Sequence, residues 1–358
     1  MHMADALISP AVGGTMWVAT GATAAYAATR VRKTLDQSRI PLMGIAGAFV
    51  FAGQMLNFTI PGTGSSGHLG GALILAMLLG PEAAFLVMAS ILAVQALFFA
   101  DGGLLALGCN IFNLGFFPAF IAYPFIYKPI VGSGARPPSW RFVVGSIVAA
   151  VVGLQLGAFA VVLQTTFSGV SELPFGTFVL LMLPIHLAIG VVEGLITAVV
   201  VLFVRQAQPE LLARTAEKKP IGSLSVKPVL IGLAVAAVLA AGVVSWFASS
   251  YSDGLEWSIA KATGTEQEPE NSSGAHETAA GVQEKTAFMP DYAFKEGEAA
   301  EDAGGGAEAA AADEPAWPAV DAGTSVAGLA GAGIVLVVAA IIGLALYKRP
   351  ASGAKPGA

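Results

Sequence analysis

An all-α polytopic membrane protein is the fold class this sequence predicts, and three observations lead to it. Only 12% of the residues are charged and 55% are hydrophobic, whereas a soluble domain carries about 25% charge. Several apolar runs exceed the roughly 18–20 residues that cross a hydrocarbon core about 30 Å thick. They are far longer than barrel strands, and lipid offers no partner to an unpaired backbone group, so helices are expected. The third observation is that the basic residues gather into groups between the runs.

The spans read as 11–29, 40–58, 69–79, 81–99, 104–127, 140–167 and 177–204, about seven transmembrane helices in a core. Two C-terminal helices, 229–248 and 327–347, flank an acidic external loop, 249–325. The third span has only 11 residues and suits a half-helix or a re-entrant piece. Outside the loop, fifteen Lys and Arg fall into four groups: Arg30, Arg32, Lys33 and Arg39; Lys128, Arg136 and Arg141; Arg205, Arg214, Lys218, Lys219 and Lys227; Lys348, Arg349 and Lys355. If the nine spans alternate, every group lies on one side, which the positive-inside rule makes the cytoplasm. Dropping the short third span would put the later groups outside. A multi-pass protein of the cell (inner) membrane is expected, with the N-terminus, the turn at His68 and the acidic loop external and the C-terminus cytoplasmic. Met1 to Pro10 has no basic residue and carries Asp5, so no cleavable signal is evident. The single cysteine, Cys109, excludes an internal disulfide and suits packing.

Composition divides the chain into a membrane body (1–210), a basic cytoplasmic linker (211–228) and a second module (229–348). The loop 249–325 holds sixteen of the 24 carboxylates against three lysines. Its tract from Glu296 to Glu314 lacks the apolar content to build a core, so a mostly mobile loop is expected. It either draws cations toward a site or is a solvated linker.

Catalytic signatures are missing: no phosphate-binding Gly-x-x-x-x-Gly-Lys-Ser/Thr loop, no His-Glu-x-x-His, and no Gly-x-Ser-x-Gly elbow. The chain is therefore not expected to be an enzyme or to hydrolyse ATP. The histidines are more telling. A free Met1 α-amine, the His2 amide nitrogen and the His2 imidazole can close adjacent chelate rings on one metal ion, filling three of four planar positions. Initiator methionine is normally retained before a residue as large as histidine. The small-residue turn Gly62 to His68 could bring a second imidazole to the fourth position. Planar nitrogen ligation suits Ni(II) or Cu(II). The alternative is that His2 is simply part of a solvated chain end.

Polar residues within the spans are costly in lipid and are candidates by default. Asn110 and Asn113, spaced i, i+3, share a helix face and suit bonding between helices. His186 and Glu193, two turns apart on one face, suit either a structural pair or a pair that couples conformational states.

Several motifs together resemble the CbiM/NikM family: Met1-His2 with Asp5 and Ser9-Pro10; Ser65-Ser66-Gly67-His68-Leu69-Gly70-Gly71; Gln95 to Gly103 followed by Gly108 to Asn113; and His186 with Glu193-Gly194 and Thr197. Members of that family are the substrate-capture subunits of energy-coupling factor transporters for cobalt and nickel. The resemblance covers residues 1 to about 210. It implies a metal held by four nitrogens, carried over to the Met1 amine, the His2 amide, the His2 imidazole and the His68 imidazole. Asp5, Ser66, Asn110, Asn113, His186 and Glu193 are then candidates for supporting or coupling roles. The chain departs from the commoner opening Met-His-Ile-Pro-Asp-Gly by reading Met1-His2-Met3-Ala4-Asp5-Ala6, which keeps every ligand nitrogen. The tail resembles a fused small N subunit, with Asp253-Gly254-Leu255-Glu256 where that family has Pro-Asp-Gly-Leu-Glu.

The function this implies is metal capture within an ATP-driven importer. Ni2+ or Co2+ is the cargo, and no bound cofactor is expected. The partners are a transmembrane coupling subunit, a pair of cytoplasmic ATPases and the lipid bilayer, with no nucleic acid. The competing expectation is a secondary divalent-metal permease working without ATPases, in which Glu193 could serve as a proton relay.

Overall fold

The computed structural model describes residues 2–132, 137–265, 274–295 and 317–347. Helix α1, Pro10–Thr34, starts where the Ser9 hydroxyl accepts the Val12 amide at 3.4 Å and proline fills the first position. Helix α2, Ile40–Gln54, is buried on almost every face. A hairpin follows, β1 (Phe58–Ile60) against β2 (Ser65–Gly67), antiparallel with Thr59 opposite Ser66. Gly62 and Gly64 in its turn have φ of +78° and +73°, which only glycine adopts freely.

The chain then enters α3, Ala72–Leu79, and turns at Gly80 into α4, Pro81–Phe99. Helix α5, Leu107–Val131, winds more widely over Phe112–Tyr127, where Pro118 and Pro124 withhold their N–H groups. Helices α6 (Ser139–Ser168) and α7 (Phe175–Ala207) pack along each other. Their approach depends on Gly190 and Gly194, where a β-carbon would strike the backbone of Val151 and Ile147. The linker contains α8, Pro209–Ala216. The second module comprises α9 (Lys227–Gly242), α10 (Gly254–Thr263), α11 (Ala275–Thr286) and α12 (Ala322–Leu346). Among the described residues, α4, α5, α6, α7 and α12 are long and apolar enough to cross a membrane, and α9 is a shorter apolar helix. The chain is an all-α, multi-pass membrane protein.

Three expectations need correction. First, the helix in the third span begins only at Ala72, because Gly71 before it is left-handed at φ +81°. Its eight residues rise about 12 Å. With the extended residues before it, the segment still runs antiparallel beside all of α2. The Gly70 carbonyl accepts from Gln54 at one end of α2, and the Leu79 carbonyl from Arg39 at the other.

Second, the spans 40–58 and 229–248 end early, at Gln54 and Gly242, the latter followed by a 3-10 turn over Val244–Phe247. Third, the described parts of the acidic loop are folded and docked rather than a mostly mobile chain. A capping box between Asp253 and Glu256 starts α10, and Leu255 and Ile259 are buried beneath it. The tract Glu296–Glu314 lies outside the described residues.

Described members of three of the basic groups meet at one end of the bundle; Arg136, Lys348, Arg349 and Lys355 lie outside the described residues. Arg39 donates to the Lys219 carbonyl at 2.6 Å, Lys128 to that of Ala216 at 2.8 Å and Arg205 to that of Pro137 at 2.8 Å. Lys218 and Arg30 share Glu82. The hairpin, His68 and His2 lie at the opposite end.

Candidate metal-binding site

From His2 onward the N-terminal segment does not trail into solvent. Met3 is fully buried and clamped by Asn110: its amide donates to Asn110 Oδ1 at 2.8 Å, and its carbonyl accepts from Nδ2 at 3.1 Å. That carbonyl also accepts the Gly103 amide at 2.9 Å. Asp5 accepts the Ala106 amide at 2.8 Å, and a β-carbon on Gly103 would overlap its carboxylate. The Asp-Gly-Gly run at 101–103 is thus the seat of the N-terminal segment, which folds back into the mouth of the bundle.

His2 is set by that seat. Its ring stacks on His68, with centroids 5.0 Å apart and planes at 12°. Its Nδ1 lies 3.2 Å from Asp101 Oδ1, while Nε2 is buried without a hydrogen-bond partner among the described residues. Burial pushes this imidazole down to about 4, against the pull of Asp101, so it is neutral at pH 7. A carboxylate only accepts, so Nδ1 carries the proton and the orphaned Nε2 the lone pair. Met1 lies outside the described residues.

His68 follows β2. Its Nδ1 lies 3.2 Å from the Leu69 carbonyl oxygen, and its Nε2 lies 3.7 Å from Asp253 Oδ2. The turn after it is held by Glu193 of α7, whose carboxylate accepts the Gly70 and Gly71 amides at 3.2 and 3.0 Å. Gln54 donates to the Gly70 carbonyl at 2.9 Å and accepts from Gln95 at 2.9 Å. Ser66 holds the second module: its amide donates to the Ser252 carbonyl at 2.8 Å and its hydroxyl to that of Tyr251 at 2.7 Å.

His186 and Glu193 do not pair, contrary to one expectation. The His186 Nδ1 is satisfied by its own helix, at the Met182 carbonyl 2.8 Å away, and Glu193 turns to the glycine amides. His186 still lines a small cavity with Gly67, His68, Asp253 and Gly254. Asn113 makes the expected interhelical contact, a reciprocal pair with Gln164 at 2.7 and 2.9 Å.

Sequence reasoning held Asp101 only as one of the polar candidates within the spans and missed Asp253 and Tyr292 as site residues. Tyr292 donates to Asp101 Oδ2 at 2.6 Å, and Gln283 donates to the carbonyls of Ala96 and Gly102 at 2.8 Å each. The signal for Asp253 lay in its capping-box spacing, and that for Asp101 in its place before two glycines.

Among the described residues, no three His, Cys, Asp or Glu side chains form a metal cage. Two stacked imidazoles and two carboxylates at the mouth of a multi-pass bundle are donor types that suit a membrane protein handling a transition metal.

Comparison with known proteins agrees. Residues 2–211 match the family model for the cobalt uptake substrate-specific transmembrane region, CbiM, and residues 227–348 match the PDGLE domain. The chain belongs to the CbiM family. A protein of Haloquadratum walsbyi named for metal transport is 35% identical over 59% of this chain and 93% of its own. A protein of Archaeoglobus fulgidus named as a fused nickel transport protein, NikMN, is 32% identical over 75% of this chain and 85% of its own. The crystal structure of a truncated transition metal transporter is 31% identical, with a TM-score of 0.51, over 57% of this chain and 99% of that one. The chain is a cobalt or nickel transport component, and the relatives are transport proteins rather than enzymes.

Proposed function

We propose that this chain captures Ni2+ or Co2+ at the outer face of the cell membrane for an ATP-driven importer of the energy-coupling factor type. The ligands are the Met1 amine, the His2 amide nitrogen, the His2 imidazole and the His68 imidazole. The observation that carries this reading is the stacked pair of imidazoles, His2 and His68, each facing a carboxylate.

The chelate ring that includes the His2 amide closes through Nδ1 and not through Nε2. Capture therefore exchanges the Asp101 contact for the metal: the imidazole proton moves through solvent from Nδ1 to Nε2, the His2 amide releases its proton to solvent, and His68 offers its Nε2 in the unprotonated form. Planar nitrogen ligation favours nickel over ions that prefer tetrahedral or oxygen-rich sites. Without a nucleotide motif, the chain draws its transport energy from partners, a transmembrane coupling subunit and cytoplasmic ATPases, docking at the basic end of the bundle. Glu193, on which a proton-coupled permease would turn, is occupied by two glycine amides, which supports the ATP-driven reading.

The test is nickel and cobalt binding by equilibrium dialysis with absorption spectra, on the native chain and on one extended by four N-terminal residues. A one-residue extension is unsuitable, because a histidine in third position makes a planar chelate of its own with two amides and the amine. Binding with a planar-nickel spectrum in the native chain only supports the reading; equal binding by both chains refutes it.

A further inference from the structure

The two carboxylates beside the imidazoles come from different modules. Asp101 belongs to the body, whereas Asp253 arrives from the second module, and its position is fixed from three sides. Its Oδ1 accepts the Leu255 and Glu256 amides at 2.7 and 3.0 Å, and its own amide donates to Glu256 Oε2 at 3.2 Å. The residues before it are bonded to Ser66 of β2, and Trp257 after it donates its Nε1 to the Thr63 carbonyl at 3.0 Å. At Gly254 a β-carbon would stand 2.9 Å from Ile189 Cδ1 and 3.1 Å from His186 Cε1, so a larger residue would push the carboxylate away. Oδ1 caps the helix, and Oδ2 faces His68 Nε2 at 3.7 Å.

We propose that Asp253 is a positioning residue of the cargo site, so that the second module completes the site that the body begins. Its carboxylate stands beside the His68 nitrogen that would carry the metal, orients that ring and balances part of the ion's charge. A planar site with one deprotonated amide leaves a divalent cation with one uncompensated positive charge. An Oδ2 that lies 3.7 Å from Nε2 places the carboxylate beside any ion carried on that nitrogen. The module reaches the other imidazole as well, because Tyr292 holds Asp101 in front of His2. This inference rests on the four-nitrogen reading above.

The test uses Asp253→Asn and Asp253→Ser in the full chain, with the native chain and the four-residue extension alongside. Asparagine and serine cap helices as well as aspartate does, so α10 keeps its start while the charge is lost. The expected result is nickel affinity lowered about 10- to 100-fold in both variants, an unchanged planar-nickel spectrum, an unchanged melting temperature, and partial recovery in Asp253→Glu. Native affinity in Asp253→Asn overturns the inference and leaves the nitrogen plane standing. Failure of the native chain to bind nickel, or equal binding by the extended chain, overturns both.

Discussion

Replacing Glu193 with glutamine tests how the turn after His68 is held. The carboxylate is 3% exposed and accepts two backbone amides, Gly70 at 3.2 Å and Gly71 at 3.0 Å. Gly71 is left-handed, and a β-carbon there would strike Val50, so the turn has no spare conformation to fall back on. Glutamine has the same shape but only one acceptor oxygen, and its amino group would meet a second donor head-on. A net hydrogen bond to a charged group is worth about 1.5–3 kcal/mol, and an unmatched buried donor adds to the loss. The expected cost is therefore about 2–4 kcal/mol. Leucine strands both amides and should cost more. Because His68 is two residues before Gly70, the damage should also reach metal binding. Thermal unfolding in detergent gives the first quantity, and nickel dialysis well below the melting temperature gives the second. A glutamine variant with native melting and native nickel affinity would refute the reasoning that Glu193 fixes this turn.

Further predictions follow from the same geometry. Asn110→Ala removes both bonds to the Met3 backbone, so nickel affinity should fall about 10- to 100-fold, as for loss of an outer-shell partner, with the planar spectrum retained; dialysis and absorption check this. Asn113→Leu and Gln164→Leu should each destabilise the chain while the double variant loses less than the sum. The coupling should be about 0.6–1.7 kcal/mol, the range for hydrogen bonds between membrane helices, and nickel affinity should be unaltered. The seat of His2 should also depend on pH. The free imidazole protonates near 6.5 and the seated one near 4, so the undocked state binds more protons between those values. Docking is at full strength above 6.5 and weakens as pH falls toward 4, by about 1.4 kcal/mol per unit. Hydrogen exchange at the Met3 amide should accordingly speed up, relative to its intrinsic rate, between pH 7 and 5.

The second module is held by two unequal kinds of contact. Helix α12 packs along α2 through small residues: a β-carbon on Gly44 would lie 2.9 Å from the Leu336 carbonyl, and one on Gly47 3.1 Å from Val335 Cγ1. Such close backbone approach is how membrane helices associate where lipid removes the hydrophobic drive. At the mouth the buried Leu255, Ile259 and Met289 are joined by separate polar bonds, at Ser66, Thr63, Ile8 and Asp101. Each is worth about 0.5–1.5 kcal/mol net.

How much of this was legible in the sequence depended on how local each signal was. Helices α6 and α7 fall within a few residues of the expected 140–167 and 177–204, because long uninterrupted apolar runs leave one solution in lipid. His2 and His68 could be paired from chelate chemistry alone, and the structure stacks them. The acidic loop was misjudged because composition averaged over 249–325 hides a four-residue capping signal and a few apolar anchors, Leu255, Ile259 and Met289. His186 and Glu193 were grouped because they share a helix face. A shared face says nothing about what the opposing chain offers, and here it offers the Gly70 and Gly71 amides, which outbid a histidine already satisfied by its own backbone. Asp253 lay in plain view within Asp-Gly-Leu-Glu, yet nothing in the sequence places that motif beside His68. That contact exists only because the second module folds back across the mouth of the first, and long-range docking of this kind leaves no periodicity to read.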